Sequence, residues 1–178
     1  YLLTEKVEVS EKRLYLPENE ISFLVEMNET SKLDGSETVI TTKGGKIFEV
    51  HYPKNVSDSA LKKISTKIQE LEDSIIEGNL SGIDLDSFVR RMLVDEIFSN
   101  IDADRNSSYY FYSEGTNTFY AGPLWDYDLC MNNTPPTWEA EDNPPNVINA
   151  ANLPWYSKCY SNEKFYTRLK EIYKEEYL

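Results

Sequence analysis

Apolar residues occur in short or alternating runs through residues 1–53, which is the pattern of β-strands. The run Ile21–Met27 contains β-branched and aromatic residues and predicts one strand. Two alternating runs, 37–42 and 46–52, flank a pair of glycines and predict a β-hairpin. Residues 1–53 are therefore expected to form a small antiparallel sheet.

Beyond this part the apolar spacing changes to three and four residues, which is typical of amphipathic helices. Three main helices are predicted, and Ser57 and Gly78 are the expected caps of the first: residues 57–78, 84–99 and 163–177. A second hairpin is predicted from two short runs, 109–112 and 118–121. The pattern predicts an α+β fold in a single domain over residues 1–178, with a sheet-forming part (1–53) and a helical part (54–178).

Two stretches carry neither a helical nor a hairpin pattern. Residues 1–9 are expected to be extended, and residues 131–154 are rich in Asn and Pro and are expected to form a long irregular loop.

The chain is strongly acidic, with 18 Lys and Arg residues against 31 Asp and Glu residues and a formal charge of −13. This balance argues against non-specific nucleic-acid binding and against docking on an anionic membrane, since both depend on basic side chains. No apolar run approaches the roughly 20 residues of a membrane span. Cys130 and Cys159 do not form a zinc-binding pattern with the single histidine, His51, and they are read either as a bridge or as two free buried thiols.

The second hairpin is preceded and followed by acidic loops. A hairpin brings the ends of its two strands together, so these loops are expected to lie side by side. Four carboxylates at one end of a sheet are costly unless a cation neutralises them, and oxygen ligands of this kind favour Mg²⁺ or Mn²⁺. The candidate ligands are Asp102, Asp104 and Asn106 in the first loop, and Asp126 and Asp128 in the second.

Other readings of these residues stay open. Asp126 and Asp128 could cap a turn. The spacing Asp102-x-Asp104-x-Asn106 resembles the start of an EF-hand calcium loop, although Ser stands at the sixth and twelfth positions, where such loops have Gly and Glu.

The spacing of the acidic residues is close to that of protein kinases. In those enzymes an Asp accepts the proton of the acceptor hydroxyl. A following Asn and an Asp beyond the next hairpin hold Mg²⁺ on the ATP phosphates. Asn106 lies four residues after Asp102, one fewer than in the kinase motif, and Asp126 lies 24 residues after Asp102. The chain resembles the spore-coat protein H (CotH) kinase-like family over about residues 1–132. The segments that carry the resemblance are YLLTEKVEVSEKRL, ISFLVEMNE, FVRRMLVDEIFSNIDADRNSSYYFY and FYAGPLWDYDLC.

The resemblance implies an atypical protein-kinase-like fold, of which this chain is expected to hold the C-lobe portion and to lack most of the N-lobe. It implies transfer of phosphate from ATP, with Mg²⁺ or Mn²⁺, to Ser or Thr of a coat or surface protein. Asp102 matches the catalytic Asp and Asp126 the metal-binding Asp; Asp128 is a second candidate ligand, and Asn106 or Ser108 supplies a further one. It also implies a place in the spore coat or at the cell surface, and polysaccharide-associated modules in the complete protein.

Two non-catalytic functions remain as alternatives. The first is a surface or spore-coat scaffold that keeps the fold and binds a partner. The second is a Ca²⁺-binding adhesive domain. A fragment without the ATP-gripping lobe is expected to be inactive on its own.

Overall fold

The computed structural model describes residues 6–17, 21–131, 133 and 150–178. These residues form an α+β fold, as the sequence pattern predicts, with five strands and four α-helices. In chain order the elements are β1 Phe23–Asn28, β2 Val39–Thr41, β3 Ile47–Tyr52, α1 Asp58–Glu77, α2 Leu85–Ile97, β4 Ser108–Ser113, β5 Thr118–Ala121, α3 Pro154–Tyr160 and α4 Glu163–Tyr177.

The strands form one antiparallel sheet in the order β2-β3-β1-β4-β5. Both predicted hairpins are present, and β1 lies between them and pairs with β3 on one side and β4 on the other. The sheet therefore draws strands from both the sheet-forming part and the helical part of the chain.

The two faces of β1 differ because side chains alternate along a strand. Phe23, Val25 and Met27 belong to the main core with the helices. Leu24 belongs to a second, smaller cluster with Tyr109 on the opposite face, which we call the outer face of the sheet. Residues 7–16 cover part of this outer face through apolar side chains.

The helices begin and end close to the predicted residues because their caps are encoded locally. The Ser57 side chain accepts a hydrogen bond from the Ala60 amide, and Gly78 ends α1 in the left-handed conformation with φ of 74°. The short helix α3 is missing from the prediction, which placed Pro154 in an irregular loop; this proline instead lies at the first position of the helix, where its ring is well tolerated.

The first hairpin is fastened to α1 by a buried carboxylate. Glu72 accepts hydrogen bonds from the Thr42 hydroxyl (2.7 Å) and from the Gly44 amide (2.9 Å). A Cβ atom at Gly44 would lie 2.6 Å from the Glu72 carboxylate, so a glycine is needed for this approach. The tip of the hairpin is thereby fixed in place, and with it Lys46, which reaches the first acidic loop.

The described residues contain no helix that is long and apolar enough to cross a membrane. The predicted irregular loop lies almost entirely outside the described residues, and so do the first five residues of the predicted extended segment.

Both cysteines are free and buried, which decides between the two readings of the pair. Burial raises the pKa of the Cys130 thiol to about 11 and that of the Cys159 thiol to about 12. The reactive form of a cysteine is its thiolate. Both side chains are therefore unreactive for two reasons, because they are buried and because they stay protonated.

We expect neither thiol to react with Ellman's reagent in the native protein at about pH 8, where on the order of a thousandth of Cys130 is thiolate. In denaturing guanidinium chloride both should react at once. Fast reaction of either thiol in the folded protein, or no reactive thiol in the denatured one, would contradict this arrangement.

Candidate functional site

The two acidic loops lie side by side, as the sequence predicts. We call residues 99–108 the first acidic loop and residues 122–131 the second. The Ser107 hydroxyl donates a hydrogen bond to Asp126 Oδ2 (3.0 Å) and directly joins the loops. The Ser107 amide donates to Asn28 Oδ1 (3.0 Å), so the junction is also tied to the end of β1.

Within the first loop, Asp102 and Asn106 form a fixed pair. Asn106 Nδ2 donates to Asp102 Oδ1 (3.2 Å), and Asn106 Oδ1 accepts from the Glu29 amide (2.8 Å). Arg105 approaches the same Asp102 oxygen at 3.4 Å. The orientation of the Asn106 amide is thus set from both of its ends, and the Asp102 carboxylate is held buried beside it, only 4% exposed.

The residues at the junction adopt an uncommon backbone conformation. Ser107 and Asp126 have φ of 49° and 58°, in the left-handed region that few residues other than glycine enter. Aspartate tolerates this region through local hydrogen bonding, but serine does so less readily. Non-glycine residues held in this way cluster at functional sites, where surrounding contacts fix them.

Asp104 does not join this group, so the prediction that four carboxylates converge is wrong. Its side chain turns inward, where Lys46 Nζ donates to Oδ1 (3.0 Å) and the Trp155 amide donates to Oδ2 (3.0 Å). Burial raises the pKa of Asp104 in spite of the lysine. Within the described part of the chain, no three acidic side chains of the two loops bring ligand oxygens within 4.8 Å of one another.

The same contact argues against an EF-hand-like calcium loop. Such a loop needs the Asp104 carboxylate as a ligand, and the Lys46 ammonium group occupies that position.

Ser108 lies on the inner side of the first loop and is fully buried. Its hydroxyl accepts a hydrogen bond from Arg91 Nη2 (3.1 Å) and donates to the Asn106 carbonyl (3.1 Å). The serine that contacts Asp126 is its neighbour Ser107, which the sequence reasoning did not select. The sequence carries no signal that selects Ser107, because its position depends on the left-handed turn just before β4.

A buried ion pair connects both loops to the helices. Arg91 Nε donates to Asp95 Oδ2 (2.9 Å) inside α2, and both side chains are almost completely buried. Asp95 also accepts from Asn100 Nδ2 (2.9 Å), from the Tyr127 hydroxyl (2.6 Å) and from the Tyr156 hydroxyl (2.8 Å). One carboxylate thus joins α2 to the first loop, to the second loop and to α3.

The outer face of the sheet beside the junction is polar and partly enclosed. Glu26 on β1 lies directly opposite Glu49 on β3 and Tyr109 on β4. His51 Nε2 lies 2.7 Å from Glu26 Oε2. Burial, and then the neighbouring Glu26, raises the pKa of Tyr109, and burial raises the pKa of Glu49.

A cleft of about 350 Å³ opens on this face, and we call it the outer-face cleft. Its walls are residues 6–9 together with Leu24, His51, Tyr52, Lys54, Tyr109 and Trp125. Trp125 therefore forms a cleft wall, and Asp126 follows it directly in the chain.

A second cleft, of about 520 Å³, lies at the end of the first hairpin, and we call it the strand-end cleft. It is lined by residues 27–31 and 45–47 with Asp104 and Arg105. Asn28 and Glu29, which line this cleft, also contact the first acidic loop.

Of the predicted site residues, the structure brings Asp102, Asn106 and Asp126 into one hydrogen-bonded neighbourhood through Ser107. Asp128 is exposed two residues further along. Arg91 pairs with Asp95, as its position on α2 suggests.

We expect Asp95→Ala to lower the free energy of unfolding by about 3–5 kcal/mol, because it leaves the Arg91 charge buried and unpaired. Asp86→Ala is the matched control, since Asp86 lies on the same helix and pairs with Arg168 in a position that solvent reaches, where ion pairs contribute less. Urea unfolding measures both. Equal, small losses in the two variants would contradict the importance of the buried pair.

The comparison with protein families gives a match over residues 1–177 to the family model described as CotH kinase protein. No curated protein and no solved structure matches the chain.

Proposed function

Since the chain belongs to the CotH kinase family, we propose that it transfers the γ-phosphoryl group of ATP to a Ser or Thr hydroxyl of a protein. The observation that supports this most is the pair Asp102–Asn106, held beside Asp126 through Ser107. Phosphoryl transfer depends mainly on positioning and on charge stabilisation, and this neighbourhood supplies oriented oxygens for both.

We assign to Asp102 the role of orienting the acceptor hydroxyl and taking its proton. One of its oxygens accepts from Asn106, and the other is the atom that would orient the hydroxyl and take its proton. The hydroxyl oxygen then forms the bond to the γ-phosphorus while the bond to the β-phosphate oxygen breaks and ADP leaves.

The donor set fits Mg²⁺ or Mn²⁺. Asp126 and Asp128 offer exposed carboxylates, both of them hard oxygen ligands, whereas the buried Asn106 amide oxygen already accepts from the Glu29 amide and is given no ligand role. A cation bound there would neutralise charge on the phosphates. We assign no ligand role to Ser108, whose hydroxyl is already engaged with Arg91.

We place ATP in the outer-face cleft. Val7, Val9, Leu24 and Trp125 form an apolar cluster suited to a purine ring, and Lys6 and Lys54 also line the cleft. Trp125 precedes Asp126 in the chain, so a base bound against the tryptophan would have its phosphates near the acidic junction.

The acceptor is proposed to be a coat or surface protein, and the location the spore coat or cell surface. Both proposals rest on the family resemblance.

A second candidate function is a non-catalytic binding module that retains the fold. The observation that favours it is the burial of Asp102, which is only 4% exposed.

We expect Asp102→Asn to reduce the rate of phosphate transfer at least about 100-fold, because it removes the proton acceptor and keeps the shape. Asp126→Asn should reduce this rate comparably, because it weakens binding of the cation. The measurement is transfer of radiolabelled γ-phosphate to casein or to the protein itself, in the complete protein. Asp86→Asn, which lies at the contact of α2 with α4 and touches neither acidic loop, is the control and should retain activity.

Full activity of Asp102→Asn would contradict the assignment of the catalytic residue. If the wild-type protein shows neither transfer nor thermal stabilisation by ATP with Mn²⁺, the binding module is the better account.

A further inference from the structure

A cluster of three metal-ligating side chains lies on the outer face, apart from the acidic loops. Among the described residues, Glu26, Glu49 and His51 form a group whose ligand atoms all lie within 4.8 Å of one another. His51 Nε2 is 2.7 Å from Glu26 Oε2 and 3.5 Å from Glu49 Oε1. We propose that these three side chains bind a transition-metal dication of the zinc class.

The register of the sheet creates this cluster. Glu26 and Glu49 are direct cross-strand partners on β1 and β3, and His51 is the unpaired residue where the register of the two strands shifts, with its ring directed at Glu26. Because the two glutamates belong to paired strands and the His51 ring is already in contact with Glu26, the three donors are pre-organised before any ion binds.

The charges of the cluster call for a dication. Like charges directly opposite each other across a sheet are destabilising, and these two carboxylates are largely buried, with 11% and 22% of their side chains exposed. Within the described residues, His51 is the ion-pair partner of both glutamates. A protonated imidazole supplies one positive charge for two carboxylates and a neutral one supplies none, whereas a dication balances both.

The ligand types select the metal. Two carboxylate oxygens and one imidazole nitrogen leave a fourth position open, as in zinc sites with three protein ligands. An imidazole ligand favours zinc over Mg²⁺ and Ca²⁺, which prefer oxygen donors only. Zinc–ligand distances of about 2.0–2.2 Å correspond to donor separations of about 3.3–3.6 Å in a tetrahedron, so the observed separations require only small side-chain shifts.

The surroundings supply what a metal site needs beyond its ligands. Tyr109 lies directly opposite Glu26 across the β1–β4 pair, so its side chain flanks that carboxylate from the other side. His51 and Tyr109 both line the outer-face cleft, so an ion has a path from solvent.

This inference does not depend on the proposed phosphotransfer. It uses none of Asp102, Asn106 or Asp126, and it concerns binding of a metal without nucleotide.

The test is calorimetric titration of Zn²⁺ into tag-free, chelator-treated protein in the absence of ATP. We expect one Zn²⁺ per chain and at least about 100-fold weaker binding for His51→Ala, which removes the only histidine of the chain. Glu49→Gln should also weaken binding at least about tenfold, and it preserves side-chain volume in case the histidine variant folds poorly. Asp126→Asn should bind Zn²⁺ as the wild type does.

Absence of stoichiometric Zn²⁺ binding by the wild type would overturn the proposal, as would unchanged affinity in both cluster variants. Loss of binding in Asp126→Asn would also overturn it, since the ion would then lie at the acidic loops. Zinc binding without phosphate transfer would leave this site standing and reject only the kinase function, and the converse result would reject only this site.

Discussion

The arrangement of the acidic loops depends on one buried ion pair, Arg91 with Asp95. Removing two charges from water costs several kcal/mol for each, so such a pair persists only when its remaining hydrogen-bonding groups are well used. Asp95 meets this condition by accepting from residues of both loops and of α3; Arg91 meets it in part, because its Nη2 reaches Ser108 at the start of β4 while its buried Nη1 has no hydrogen-bond partner. The cost of the buried charges therefore enforces a single geometry, in which the two loops lie together at one end of the sheet.

This geometry explains why the candidate site faces outward. Ser108 and Asp104 occupy the inner side of the first loop. Ser108 is hydrogen-bonded to Arg91, and Asp104 to Lys46. Ser107 and Asp126 lie on the other side of the loops, which borders the outer face. The helices form the base of the site, and the outer face of the sheet, with its cleft and its cluster of two glutamates and a histidine, forms the surface on which a ligand would bind.

The sequence predicts those parts of the fold that depend on neighbouring residues. Helix periodicity, caps such as Ser57 and turns at glycine are local signals, and the structure confirms them. Contacts between distant segments are different: the inward turn of Asp104 depends on Lys46, 58 residues away, and that lysine is positioned by a hairpin docked on Glu72. The alignment of Glu26 with Glu49 depends on strand register, which the pattern of apolar residues does not specify.

The central claim is that one nucleotide and cation site lies where the acidic junction meets the outer face. The most direct test is a crystal structure of the complete protein with Mn²⁺ and a non-hydrolysable ATP analogue. The account predicts an anomalous manganese peak coordinated by Asp126, with the adenine against Trp125 and the γ-phosphate directed to Asp102. A nucleotide bound instead in the strand-end cleft near Lys46 and Arg105, with no manganese at Asp126, would contradict it.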